Sequence, residues 1–226
     1  MSSPEISPTT PDLSQDAHGH RDNRDNRDEC EHSQGVTTLA VLASGSGSNL
    51  EAIAKAIENG QLLAKIAVVI YNEPEAYVKQ RADKFGIPAI LINHRDYKSR
   101  AAIDLAIVDI LKQYHIDLVI MAGWMRIVTQ VLIDAFPERI LNIHPSLLPS
   151  FKGIHAIEQA FNYGVKITGC TVHILSLEVD SGKILKQAAV PILASDTLVD
   201  LQKRIQVQEH IIYPAAIAEY AQSLTK

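Results

Sequence analysis

Asn142 and His144 stand two residues apart in Arg139-Ile-Leu-Asn-Ile-His-Pro-Ser-Leu-Leu-Pro149, a run that reads as a buried strand. Alternation along a strand sends residues i and i+2 to one side, so the amide and the imidazole are expected to share a face. Pro145 removes a ladder donor and ends the strand, which puts the pair at the carboxyl edge of a sheet. Open α/β sheets bind their ligands at that edge. A neutral donor beside a titratable base has the parts that acyl transfer to an amine needs: one group for charge developing on oxygen, another for the proton. For these two residues alone, a satisfied structural pair is the alternative.

The elements that position this pair follow from the hydrophobic pattern. From Val36 onward, short apolar runs alternate with amphipathic stretches, as in βα units around a mostly parallel sheet. Strands are expected at Thr38–Ala43, Ile66–Tyr71, Ala89–Ile92, Leu118–Ala122, Ile140–Ile143, Gly169–Leu175 and Ile184–Pro191. Helices are expected at Asn49–Glu58, Glu75–Phe85, Tyr97–Tyr114, Gln130–Ala135 and His155–Tyr163. Thr197–Gln208 and Tyr213–Ala221 read as a long final helix bent near Pro214, because proline removes a helix hydrogen bond. The expected fold class is α/β, a Rossmann-like, mostly parallel twisted sheet flanked by helices.

The chain has 226 residues, 46% of them hydrophobic, enough to bury a core. Residues 1–35 are different: rich in Ser, Pro, Asp and Asn, with the iteration Arg21-Asp-Asn-Arg24-Asp-Asn-Arg27-Asp and eight acids against three arginines. Such a segment buries too little apolar surface to offset its ordering entropy, so a disordered polar tail is expected, followed by one domain over 36–226. The tail carries the whole formal charge of −5; the remainder is formally neutral, with no basic excess pointing to nucleic acid. Cys30 and Cys170 are the only cysteines and give no disulfide framework, which fits a reducing cytoplasm. No secretory signal or membrane-spanning run is read in the sequence, so a soluble cytoplasmic protein is expected.

Ser44-Gly-Ser-Gly-Ser-Asn49 joins the first strand to the first helix, and its glycines let backbone N–H groups close on an anion such as a phosphate. The equal alternative, for the loop alone, is a tight turn with Ser48 or Asn49 as helix cap. A dinucleotide fingerprint is a poorer match, since Leu50 replaces the third glycine and Glu73 is a doubtful ribose acid.

From about Thr37 to Ala221 the chain resembles the folate-dependent formyltransferases, on Asn142-Ile-His144-Pro-Ser-Leu-Leu-Pro149 followed by Phe151-Lys-Gly153. Its Ser-Gly-Ser-Asn loop resembles, within that family, the enzymes that formylate glycinamide ribonucleotide in purine biosynthesis. The resemblance implies 10-formyltetrahydrofolate as formyl donor, glycinamide ribonucleotide as acceptor, no metal, and a formyltransferase fold. It makes Asn142, His144 and Asp180 catalytic, the aspartate pairing with His144 from Leu177-Glu-Val-Asp-Ser-Gly182. A carboxylate partner favours the imidazolium form. It assigns Gly47, Ser48 and Asn49 to the phosphate and Gln206 and Glu209 to the rest of the ribonucleotide, Glu209 beside the attacking amine. Met125, Arg126, Ile127 and Val128, with Asn142, would face the pterin, and Arg100 would lie near the folate tail. Glu178 is expected in solvent, His155 and His173 in core hydrogen bonds, and His210 in a structural role. Lys183 stands where many relatives carry proline, which bears on the rigidity of the Asp180 loop.

Methionyl-tRNA formyltransferases and formyltetrahydrofolate hydrolases share the Asn-x-His and Asp set, but the former add a carboxyl-terminal tRNA domain and the latter a folded amino-terminal one. Neither addition is expected here. A nucleotide-dependent oxidoreductase and a non-catalytic phosphoribosyl sensor are readings from other classes. Monomer and homodimer are both open.

Overall fold

The computed structural model describes residues 35–224. The tail expected to be disordered lies outside the described residues, apart from Gly35. Seven strands form one sheet: β1 (Thr37–Ala43), β2 (Ala64–Tyr71), β3 (Ala89–Leu91), β4 (Leu118–Met121), β5 (Ile140–His144), β6 (Ile167–Ile174) and β7 (Ile184–Pro191), in the order β3-β2-β1-β4-β5-β6-β7. The first five are parallel, and β6 and β7 continue the sheet antiparallel. Six helices cover it: α1 (Ser48–Glu58), α2 (Val78–Lys84), α3 (Arg100–Gln113), α4 (Gln130–Ala135), α5 (Ala156–Tyr163) and α6 (Leu198–Leu224).

Strand alternation divides the core in two. Leu39, Val41 and Ala43 of β1 face the side covered by α1 and α6, whereas Ala40 and Leu42 face the side of α3 and α4. In β5, Leu141 and Ile143 join the first face and Ile140 the second, so Asn142 and His144 share the α3 and α4 face with Ile140. Antiparallel pairing sets His173 opposite Asn142 and Thr171 opposite His144.

Two elements start later than the sequence pattern suggests, one because of a long-range bond and one because of a local cap. The helix expected from Glu75 starts only at Val78, because the Val78 N–H donates to the Gly45 carbonyl at 3.1 Å instead of starting from an earlier turn. The helix expected from Tyr97 starts at Arg100, where the Ser99 hydroxyl caps it by accepting the Ala102 N–H at 3.2 Å. The final helix is a single element of 27 residues that runs through Pro214. Beside it, the buried Tyr213 hydroxyl lies 3.0 Å from the carbonyls of Met121 and Leu141, tying α6 to the ends of β4 and β5.

Candidate active site

The loop after β1 enters α1 through Gly47, whose φ of 73° is left-handed. A Cβ there would also approach Val78 to 2.6 Å, so only glycine fits. Neither Ser48 nor Asn49 caps α1; no side-chain cap bond is made at this end. Their side chains turn to α6 instead: Asn49 Nδ2 donates to Glu209 Oε2 at 3.0 Å, and Gln206 Nε2 donates to Ser48 Oγ at 2.9 Å. The cap alternative for this loop therefore falls. Arg81 Nε fastens the loop from α2 by donating to the Ser46 carbonyl at 2.8 Å while its guanidinium pairs with Glu51. Burial pushes the Glu209 carboxyl up, and the Asn49 hydrogen bond offsets part of that. The result is a cavity of about 460 Å³ lined by Gly47, Ser48, Asn49, Gln206 and Glu209.

A second cavity, of about 520 Å³, lies on the other side of a shared wall that includes Gly123, Ile143, Pro145 and His155. Asn142, His144 and Asp180 line it together with Met125, Arg126, Ile127 and Val128. Met125 is 76% exposed and Ile127 55%, which removes core packing as their role; Val128 is buried. The backbone of this loop is tied to the first cavity, since the Met125 N–H donates to Ser44 Oγ at 2.8 Å and the Ser44 N–H to the Gly123 carbonyl at 3.0 Å. Arg100 lines neither cavity: as the first residue of α3 it points into solvent, so its expected place at the folate tail gains no support.

Four polar side chains run in a row across β5, β6 and the loop after β6. His173 Nδ1 donates to the Ile174 carbonyl at 3.0 Å, so in the neutral ring Nε2 is the acceptor, and it takes one hydrogen of Asn142 Nδ2 at 3.2 Å. The second Nδ2 hydrogen of Asn142 is left for a ligand. His173 Nε2 is 3.7 Å from Asp180 Oδ1, and Asp180 Oδ2 is 3.2 Å from His144 Nδ1 and accepts the Gly153 N–H at 2.8 Å. His144 Nε2 lies 2.8 Å from the Phe151 carbonyl. Both ring nitrogens of His144 thus face acceptors, an arrangement that an imidazolium satisfies in full. For Asp180, burial pushes the carboxyl up, but the contact with His173, the Gly153 N–H and the neighbouring His144 together hold it below its ordinary value.

Phe151, His155 and Asp180 all adopt left-handed φ, at 54°, 60° and 50°, around this row. Conformations of this kind cost about 1–3 kcal/mol each and persist where the surroundings over-determine them. Lys152 supplies part of that constraint by donating to Ser181 Oγ at 2.5 Å and lying 3.5 Å from the exposed Glu178. The end of the loop is held through the backbone, where the Ile174 N–H donates to the Lys183 carbonyl at 2.9 Å.

The residues 37–217 match the Formyl transferase family. The chain belongs to that family. Phosphoribosylglycinamide formyltransferase of Bacillus subtilis is 41% identical over 181 residues, which cover 80% of this chain and 93% of that protein. The trifunctional purine biosynthetic protein adenosine-3 of Bos taurus is 45% identical over 179 residues; they cover 79% of this chain but only 18% of that much longer relative. Among solved structures, glycinamide ribonucleotide transformylase 1 from Symbiobacterium toebii superposes with a TM-score of 0.82 at 47% identity, covering 83% of this chain and 89% of that one. The formyl transferase fold accounts for the mostly parallel seven-stranded sheet described above.

Within this formyl transferase, two histidines depart from the sequence reading. His173 is buried as expected, but its partners are Asn142 and Asp180 rather than core groups alone. His155 is exposed, not in the core, and borders both cavities. The signal for His173 was its alternation with Thr171 in the second half of β6, which becomes informative only once β6 pairs with β5. Glu73 is occupied by Arg95 at 3.1 Å and His94 at 3.6 Å, and Leu50 is fully buried, so the dinucleotide reading has neither its acid nor its third glycine. Among the described residues no cluster of His, Cys, Asp or Glu is placed to hold a metal ion, and no helix is long and apolar enough to cross a membrane.

Proposed function

We propose that this protein transfers the formyl group of 10-formyltetrahydrofolate to the amino group of glycinamide ribonucleotide, giving the formylated ribonucleotide and tetrahydrofolate in cytoplasmic purine biosynthesis. The observation that carries the reading is the meeting of two chemically unlike cavities beside Asn142 and His144. The first offers an uncapped helix start and serine and glycine backbone to a phosphate ester. The second offers exposed apolar side chains and loop backbone to a planar heterocycle, in a volume usual for small-ligand sites.

The donor supplies an electrophilic formyl carbon bonded to nitrogen. Glu209, in the first cavity, accepts a hydrogen from the ribonucleotide amine and turns its lone pair toward the shared wall. Asn142 directs its free Nδ2 hydrogen at the formyl oxygen. As negative charge gathers there, His144 moves its Nε2 hydrogen bond from the Phe151 carbonyl to that oxygen, since a charged acceptor binds more strongly than a neutral one. Asp180 stays on Nδ1 and stabilises the imidazolium. A carbon–nitrogen bond forms to the amine and the one to the folate nitrogen breaks. The proton lost by the amine balances the proton gained by the leaving nitrogen, and His144 with Asp180 is the titratable pair adjacent to that exchange.

The test is to mix purified protein with both substrates and follow folate absorbance, identifying the product by mass. Turnover dependent on the ribonucleotide is expected. Donor consumption that is indifferent to the ribonucleotide would instead identify a hydrolase.

A further inference from the structure

Asp104 is a buried carboxylate that the mechanism above does not use. It lies in the second turn of α3 and is 3% exposed. Its Oδ2 alone accepts two hydrogen bonds from one residue, the Thr129 N–H at 2.5 Å and the Thr129 hydroxyl at 2.7 Å. Thr129 directly follows Val128, and its Oγ1 caps α4 by accepting the Val131 N–H at 3.4 Å. One carboxylate oxygen therefore holds the point where the loop lining the second cavity ends and α4 begins.

The loop depends on its ends. Met125 is fixed by Ser44 Oγ, but no hydrogen bond within the described residues engages the backbone of Arg126, Ile127 or Val128. Those free groups are the ones available to read a ligand's donors and acceptors, and their positions are set by the anchors at either side. We propose that Asp104 is a positioning residue for the formyl donor: by anchoring Thr129 it fixes the backbone of residues 125–128 against which the folate ring is bound. This rests on the assignment of the second cavity to the donor.

The experiment measures kcat and both KM values for Asp104→Ala, Asp104→Asn and Thr129→Val, with folding checked by circular dichroism. Trp124, the only tryptophan of the chain, lines the same cavity and reports tetrahydrofolate binding by fluorescence. Asp104→Ala is expected to raise the donor KM and weaken tetrahydrofolate binding about tenfold, the scale set by losing hydrogen bonds to a charged group, with the ribonucleotide KM unchanged. Asp104→Asn, whose Oδ1 can accept the same two bonds, should restore most of the affinity. Thr129→Val keeps the N–H bond and loses the hydroxyl bond, so a smaller rise of about threefold is expected. If Asp104→Ala does not fold, the other two variants decide. Lower melting temperatures with unchanged donor KM in the folded variants, or an Asn variant that weakens donor binding as much as Ala, would overturn the proposal. A rise confined to the ribonucleotide KM would instead sink the assignment of the cavities.

Discussion

The two cavities share a wall but obtain their polar groups in different ways. The cavity proposed for the ribonucleotide is cross-braced by side chains from distant parts of the chain, Asn49 with Glu209 and Ser48 with Gln206, and Arg81 secures its loop from outside. The donor cavity presents a loop with free backbone, pinned at Ser44 and Asp104, next to a row of four side chains held by residues in left-handed conformations. On the proposed function, substrate affinity on the first side would reside in individual side chains. On the second side, rate would reside in a connected row, where removing one member is expected to disturb the next.

Apart from the three residues set around the reacting carbon, the largest expected effect comes from breaking that row at its least exposed member. His173→Ala should lower kcat by about 100-fold at saturating substrates, because Asn142 loses the acceptor that orients its amide. A change confined to stability would mean that the row does not act as a unit.

Glu209→Gln tests the other cavity and should raise the ribonucleotide KM about tenfold while sparing the donor KM. Burial holds the Glu209 carboxyl above its usual range, so wild-type kcat/KM should fall as acidification protonates it, and the variant should lose that limb of the profile. A variant with an unchanged acid limb would remove Glu209 from the reacting amine.

Gly47→Ala is smaller in scope. The left-handed φ and the approach to Val78 should lower stability by about 1–3 kcal/mol and weaken ribonucleotide binding, leaving tetrahydrofolate binding intact. Equal losses at both ligands would show that the two cavities are not separable.

The smallest effect is thermodynamic. A carboxyl whose pKa is depressed on folding stabilises the protein above its unfolded pKa and loses that contribution as pH falls through the folded value. Asp180 is such a group, so denaturant titrations of Asp180→Asn should show a flatter loss of stability below about pH 4 than the wild type. Parallel curves would place the depressed group elsewhere.

Much of this was legible in the sequence. Apolar runs alternating with amphipathic stretches marked each strand and α-helix of the described residues, though not the short turn of helix at His94–Asp96, and the i, i+2 rule put Asn142 and His144 on one face. What escaped depended on contacts distant in the chain. The start of α2 is set by the Gly45 carbonyl, and the place of His173 by an antiparallel register that periodicity does not reveal. His155 was expected in core hydrogen bonds, but its left-handed turn exposes it.

The convergence of Asn142, His144 and Asp180 on one carbonyl carbon is tested most directly by single-turnover formyl transfer in Asn142→Ala, His144→Ala and Asp180→Ala, with both substrates saturating and folding verified. Each substitution is predicted to slow the chemical step by about 100-fold or more. Rates close to wild type in all three would contradict the account.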